Sequence, residues 1–245
     1  MITDSHRTPW MLVADVDDTL TGDDEALASL MAALREAGTV RLVLDSSRPI
    51  ASVATTLAGL PVEVAPDAVV GALGTEVVIR GEPRPGWQER FAGFDRAPVD
   101  LVMAALGWPL HPPELQTPFK ASFAIPPAGR SEAERRVTGT GLAARCLHGD
   151  SDYFDVIPAN AGKEAPLGYL ATHLGVDGGR TVAAGDGSND ASLLMSAPHA
   201  IAVGNATPAL RRALGRNGAY QAETAHAGGI LEGLRAIGAL PGDGS

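Results

Sequence analysis

The amino-acid sequence predicts an α/β protein: a parallel sheet covered by helices on both faces, interrupted by a smaller α+β segment. Three observations predict it. Short apolar runs alternate with stretches of helical spacing at both ends of the chain, the pattern of strands buried on both faces. Between about residues 81 and 158 the texture becomes richer in Pro, and the alternation then resumes. Polar clusters directly follow three of the apolar runs, and ligands of open parallel sheets bind at the carboxyl ends of the strands.

"MLVADV" reads as the first strand. Leu27, Leu30, Met31 and Leu34 then recur at helical spacing, with Gly38 as the stop. "TVRLVLD" is the second strand, and Ile50, Val53 and Leu57 mark a helix ending near Gly59 and Pro61. "DAVVGALG" and "EVVIR" follow as short strands. "GEPRPGW" breaks the rhythm at Gly81 and opens the insert, which holds the Pro-rich "WPLHPPELQTPF", a strand-like "FKASFAI" and a charged helix over 131–137. Beyond it, Leu167, Leu170 and Leu174 mark a helix, "TVAAGD" and "AIAVGN" two strands, and Ile230, Leu231, Leu234 and Ile237 the last helix.

Composition narrows the function. The 245 residues are 45% hydrophobic and carry a net charge of −10, from 19 basic and 29 acidic residues. That balance suits a soluble globular protein. It argues against a nucleic-acid or anionic-membrane binder, since phosphate backbones need basic patches. The one cysteine, Cys146, leaves no intrachain disulfide, and "MITDSHRTPW" has no apolar signal core; both point to a cytoplasmic protein. A monomer or a small homo-oligomer is expected.

The densest chemistry is in "MLVADVDDTLTGDD", where five aspartates follow the first strand. Such a cluster is a solvated loop, a helix cap, a calcium loop or a magnesium-dependent phosphoryl-transfer site. "DSSR" after the second strand and "GDGSND" after "TVAA" favour the last. Carboxylates gathered at one edge are costly unless a cation neutralises them, and hard oxygen donors select Mg2+. Asp15, Asp17 and Asp186 are the expected meeting point. Alternation along a strand puts Asp15 and Asp17 on one side, one to attack phosphorus and the other to manage the proton. Each feature has a plainer reading. Ser46 is a candidate cap for the helix near Ile50, "GDGSND" a tight turn, and Lys163 a surface charge.

Taken in order, these motifs resemble the haloacid dehalogenase phosphatases. Asp15, Asp17 and Thr19 match the first motif, Ser46 the second, Lys163 the third, and Gly185, Asp186 and Asp190 the fourth. The likeness extends to the sucrose-phosphate phosphatase family through "DVDDTLTGDDEAL", "GALGTEV", "TPFKASF", "FDVIP", "AVGNATPAL" and "HAGGIL". It implies a Rossmann-like catalytic core over 1–80 and 159–245 and an α+β cap over 81–158 that reads the substrate. It implies Asp15 as nucleophile, Asp17 as general acid/base, and Mg2+ on the Asp15 carboxylate, the Asp17 carbonyl and Asp186. Ser46, Ser47, Lys163 and Asn189 would hold phosphate, with Asp190 ordering the metal shell and Lys163. Glu76, Lys120 and Asp155 are the expected sugar contacts.

This chain departs from the family pattern in reading Ser46-Ser47-Arg48 for T-G-R, "GDGSND" for "GDSGND", and Glu164 where a Gly is usual. The expected substrate is sucrose 6-phosphate or a similar glycosyl sugar phosphate, with other disaccharide, glycosyl-polyol or aminosugar phosphates as alternatives. Two other classes fit less well. A D-x-D glycosyltransferase leaves Thr19, Lys163 and the fourth motif without a purpose. A phospho-acceptor has no need of Asp17.

Overall fold

The computed structural model describes residues 8–148, 152–215 and 218–242. Among them, the strands and helices in chain order are β1 (Trp10–Asp15), α1 (Asp24–Ala37), β2 (Val40–Asp45), α2 (Ile50–Ala58), β3 (Ala68–Gly71), β4 (Glu76–Ile79), β5 (Glu82–Pro83), α3 (Pro85–Gln88), α4 (Ala97–Leu106), β6 (Ala121–Ala124), α5 (Pro127–Gly139), β7 (Ala144–His148), β8 (Tyr153–Pro158), α6 (Leu167–Leu174), β9 (Thr181–Gly185), α7 (Ala191–Ser196), β10 (His199–Ala202), α8 (Pro208–Leu214), β11 (Tyr220–Gln221) and α9 (His226–Ile237).

The large sheet runs β11-β10-β9-β1-β2-β3-β4-β5. Pairings from β11 to β3 are parallel, and β4 and β5 add an antiparallel edge. β1 lies in the middle, and Met11 to Asp15 are all buried without alternation. Both of its faces are therefore covered, as a parallel sheet requires. α1 forms where predicted. Asp23 accepts the N–H groups of Glu25 and Ala26, and Leu27, Leu30, Met31 and Leu34 form the buried stripe. Gly38, at φ 61°, ends it in the left-handed conformation. Burying each leucine of that stripe contributes about 1.5–3 kcal/mol. Leu30→Ala would cost roughly 2–5 kcal/mol and loosen the helix.

The insert builds a second sheet, antiparallel in the order β6-β8-β7. Val99, Met103, Phe123, Ile125, Ala133, Val137 and Phe154 give it a core of its own. Its helix is longer than the predicted 131–137, because Pro127 at the first helical position starts α5 a turn earlier. The first residues after the break at Gly81 pack with the main body. β5 extends the large sheet, and Trp87 and Phe91 join the larger core, with the Trp87 indole N–H donating to the Gly74 carbonyl at 2.8 Å. Among the described residues no helix is long and apolar enough to cross a membrane.

Candidate active site

Parallel register brings the polar clusters together. Asp15 ends β1 opposite Asp45 at the end of β2, and Ala14 lies opposite Ala184, one residue before Gly185 closes β9. Asp15, Ser46 and Asp186 therefore emerge at one edge of the sheet.

Lys163, which follows the insert, is fully buried and organises this edge. Its ammonium donates to Asp15 Oδ1 at 2.5 Å, to Asp190 Oδ1 at 2.6 Å and to the Asp45 carbonyl at 3.3 Å. Burial alone would lower its pKa, but Asp15, Asp190 and Asp45 outweigh that and hold it charged well above its ordinary range. One cation does not balance so many carboxylates. Burial, then repulsion from Asp190, pushes Asp15 well above the usual carboxyl range. Burial likewise raises Asp45, and neither of its carboxylate oxygens has a hydrogen-bond partner among the described residues. Asp186 is pushed up to about 6 by burial, against the lowering effect of the Thr19 hydrogen bond.

Asp15, Asp186 and Asp190 each offer a carboxylate oxygen within 4.8 Å of the others. Asp190 is already committed. Oδ1 accepts from Lys163, and Oδ2 from the N–H groups of Asp186 and Gly187 at 3.1 and 3.0 Å. It orders the loop and the lysine, and Asp15 and Asp186 remain as direct donors. Thr19 fixes Asp186, its hydroxyl donating to Oδ1 at 2.8 Å. All the donors are hard oxygens in a site with excess negative charge, so these residues fit a divalent cation.

Asp17 lies elsewhere than simple alternation predicts. The strand ends at Asp15 and Val16 opens a helical turn, which stops the alternation before Asp17; Asp18, in left-handed backbone (φ 57°), then redirects the chain after it. The Asp17 carboxylate is half exposed and meets Arg48 in a two-pronged ion pair, with Nε and Nη2 each at 2.8 Å. Arg48 is braced in turn by the hydroxyls of Thr56 at 2.9 Å and Ser52 at 3.3 Å. Sequence reasoning assigned Arg48 no role. Its position directly after the Ser pair at a strand end was the available signal.

Ser46 is buried, and its oxygen accepts the Arg48 N–H at 3.1 Å. The plainer reading of Ser46, as the cap of α2, is not what is seen: the Ile50 N–H donates to the Glu76 carboxylate at 2.9 Å. Glu76 thus stands apart from the other predicted sugar contacts. Those contacts face a cavity of about 600 Å3 between the carboxyl edge of the large sheet and the small sheet. Asp17, Ser47, Arg48, Leu73 and Asn189 line it from one side, and Leu115, Lys120, Leu147, His148, Tyr153 and Asp155 from the other. Lys120 and Asp155 form a buried ion pair at 3.3 Å.

Comparisons with known proteins agree with this arrangement. The family model described as sucrose-6F-phosphate phosphohydrolase matches residues 8–237. Mannosylfructose-phosphate phosphatase of Agrobacterium fabrum is 27% identical over 243 residues, covering 94% of this chain and 98% of that one. Phosphoglycolate phosphatase of Pyrobaculum neutrophilum is 32% identical over 210 residues, covering 83% and 86%. The sucrose-phosphatase of Synechocystis, solved with sucrose and phosphate, superposes with a TM-score of 0.85 at 24% identity, covering 95% of this chain and 99% of that one. With a parallel sheet that delivers an aspartate, a lysine and a second acidic loop to one edge, and a family match over nearly its whole length, the chain belongs to the sucrose-6F-phosphate phosphohydrolase family of haloacid dehalogenase phosphatases and is a phosphoric monoester hydrolase.

Proposed function

We propose that the protein is a Mg2+-dependent phosphatase for a glycosyl sugar phosphate, sucrose 6-phosphate or a close relative, working through a phosphorylated Asp15. The observation that carries the substrate class is the cavity, about 600 Å3 and lined jointly by the catalytic edge and by Lys120 and Asp155 of the insert. That is ample for two sugar rings and much larger than a glycolate ester needs.

Bound Mg2+, held by the Asp15 and Asp186 carboxylates and the Asp17 carbonyl, supplies electrostatic stabilisation to the phosphoryl group. Lys163 pins Asp15 through Oδ1, which leaves Oδ2 to attack phosphorus. As the Asp15 O–P bond forms, the P–O bond to the sugar breaks, and Asp17 delivers its proton to the leaving oxygen. In the second half, Asp17 as a carboxylate takes a proton from water, which attacks phosphorus, releases phosphate and restores Asp15. Ser46, Ser47 and Asn189 hold phosphate oxygens, and Lys120 and Asp155 take sugar hydroxyls. The insert acts as a cap that excludes bulk water.

The test is phosphate release with Mg2+ from a panel of disaccharide phosphates, monosaccharide phosphates and phosphoglycolate, each repeated with chelator. A disaccharide phosphate should give the highest kcat/KM, and chelator should abolish every activity until Mg2+ is restored. Ca2+ should restore little, because its looser, higher coordination spoils in-line geometry. Highest kcat/KM on phosphoglycolate, or full activity in chelator, would overturn the reading.

A further inference from the structure

Two motifs noted in the sequence, "AVGNATPAL" and "HAGGIL", have no part in the mechanism above, yet both reach the nucleophile loop. The side-chain amide of Asn205 donates to the Asp18 carbonyl at 2.6 Å. The His226 ring reaches the same carbonyl through Nδ1 at 2.9 Å, and because a carbonyl only accepts, Nδ1 carries the proton. The two clamp residues are also joined, the His226 backbone N–H donating to Asn205 Oδ1 at 2.9 Å. These contacts span 187 and 208 residues of sequence and tie the loop after β10, through Asn205, and the first turn of α9, through His226, to the loop after β1.

The backbone at both ends of the clamp is costly. Asp18 (φ 57°) and His226 (φ 53°) both occupy the left-handed region. Non-glycine residues persist there when their surroundings over-determine them, and such residues cluster at functional sites. The fit is close. A Cβ added to Gly22, itself at φ 114°, would lie 2.5 Å from the His226 ring. On the other side the turn is closed by Thr21, whose N–H and hydroxyl both donate to the Val16 carbonyl at 3.0 Å.

Asp18 stands between Asp17, held by Arg48, and Thr19, held by Asp186. We propose that Asn205 and His226 are positioning residues: by fixing the Asp18 carbonyl they set the turn that aims Asp17 at the leaving oxygen and Thr19 at Asp186. This rests on the reading of Asp17 as the acid/base. Neither residue lines the substrate cavity, so the clamp acts on turnover and not on sugar binding.

The experiment measures kcat and KM for Asn205→Ala, His226→Ala, His226→Asn and Asp17→Asn at saturating Mg2+, well below each variant's melting temperature. Sucrose 6-phosphate and p-nitrophenyl phosphate are the substrates. Leu231→Ala, a half-buried position on the same helix, serves as a destabilised control. The two alanine variants should lose at least tenfold in kcat on both substrates, with KM within twofold. His226→Asn keeps a donor near the Nδ1 position and tolerates left-handed backbone, so it should recover most of the loss. Wild-type kcat in both alanine variants overturns the clamp, as does an equal kcat loss in Leu231→Ala. Full activity of Asp17→Asn instead refutes the acid/base reading, and the clamp is then judged on the Asn205 and His226 turnover alone.

Discussion

Lys120→Ala separates substrate recognition from chemistry. Lys120 is 2% exposed and Asp155 8%, and their charged atoms are 3.3 Å apart. The pair is electrostatically matched but under-bonded. Asp155 Oδ1 has no hydrogen-bond donor among the described residues, and the Lys120 ammonium donates to the Leu115 carbonyl at 3.3 Å with hydrogens to spare. A sugar hydroxyl bridging the pair from the cavity side would donate to the Asp155 carboxylate and accept from the Lys120 ammonium. A hydrogen bond to a charged group contributes about 1.5–3 kcal/mol, so Lys120→Ala should lower kcat/KM for the disaccharide phosphate roughly 10–150-fold. p-Nitrophenyl phosphate reaches few of these groups and should lose less than about threefold. The variant also leaves Asp155 as an unpaired buried carboxylate. Breaking a buried pair costs about 3–5 kcal/mol, and the lower end applies here because the pair borders an open cavity. Adding Asp155→Asn should recover much of that stability and none of the sugar preference. The assay is kcat/KM on both substrates for Lys120→Ala and Lys163→Ala, with denaturant unfolding alongside. Lys163→Ala should damage both substrates together. Equal losses on both substrates in Lys120→Ala would refute the division between cap and core.

Asp15→Asn should fold normally and retain less than about 1% of turnover, since replacing the nucleophile costs several kcal/mol of barrier; a phosphate-release assay checks it, and activity above a few per cent rejects Asp15 as nucleophile. The Mg2+-induced rise in melting temperature should be large above pH 6 and shrink below it, because Asp186, pushed up to about 6 without a cation, must lose a proton to bind one. Thermal shift across pH 5–8 measures this, and a pH-independent rise would count against Asp186 as a ligand. Asp45 has a native pKa above its unfolded value, so the native state holds the extra proton between the two and stability falls as pH rises through that window. Asp45→Asn should therefore gain melting temperature over wild type at pH 8, with the gain fading toward pH 5.

Much of this was legible in the sequence because strand ends and helical stripes are local signals. Leu27, Leu30 and Leu34 alone locate α1 and its buried face, and Gly38 its end. The acids after "MLVA" and "TVAA" converge once the strands are parallel neighbours, which the alternation of elements already implies. What escaped depends on single backbone torsions or on distant partners. Asp17 turns toward Arg48 because extended backbone stops at Asp15 and Val16 opens a helical turn, a break that no spacing reveals. Glu76 follows an ordinary strand pattern, and only the tertiary fold brings it to the start of α2. α4 was missed because its start lies in a stretch broken by Gly and Pro. β7 was missed because its half-buried residues show no alternation.

The position of β1 between β2 and β9 also fixes the order in which the protein can be made. Its first neighbour, β2, leaves the ribosome soon after it, but β9 begins only at Thr181, after the entire insert. At a synthesis rate of about 5–20 residues per second, the central strand waits roughly 8–35 s with one edge unpaired. During that wait Asp15 has no Lys163, which is 148 residues away, and Asp190 is later still. The insert, with a small antiparallel sheet and its own core, can fold in the interval. The catalytic edge therefore closes only after the insert is made, and until then the nascent chain carries an open parallel edge, a pairing template of the kind that recruits chaperones or other chains.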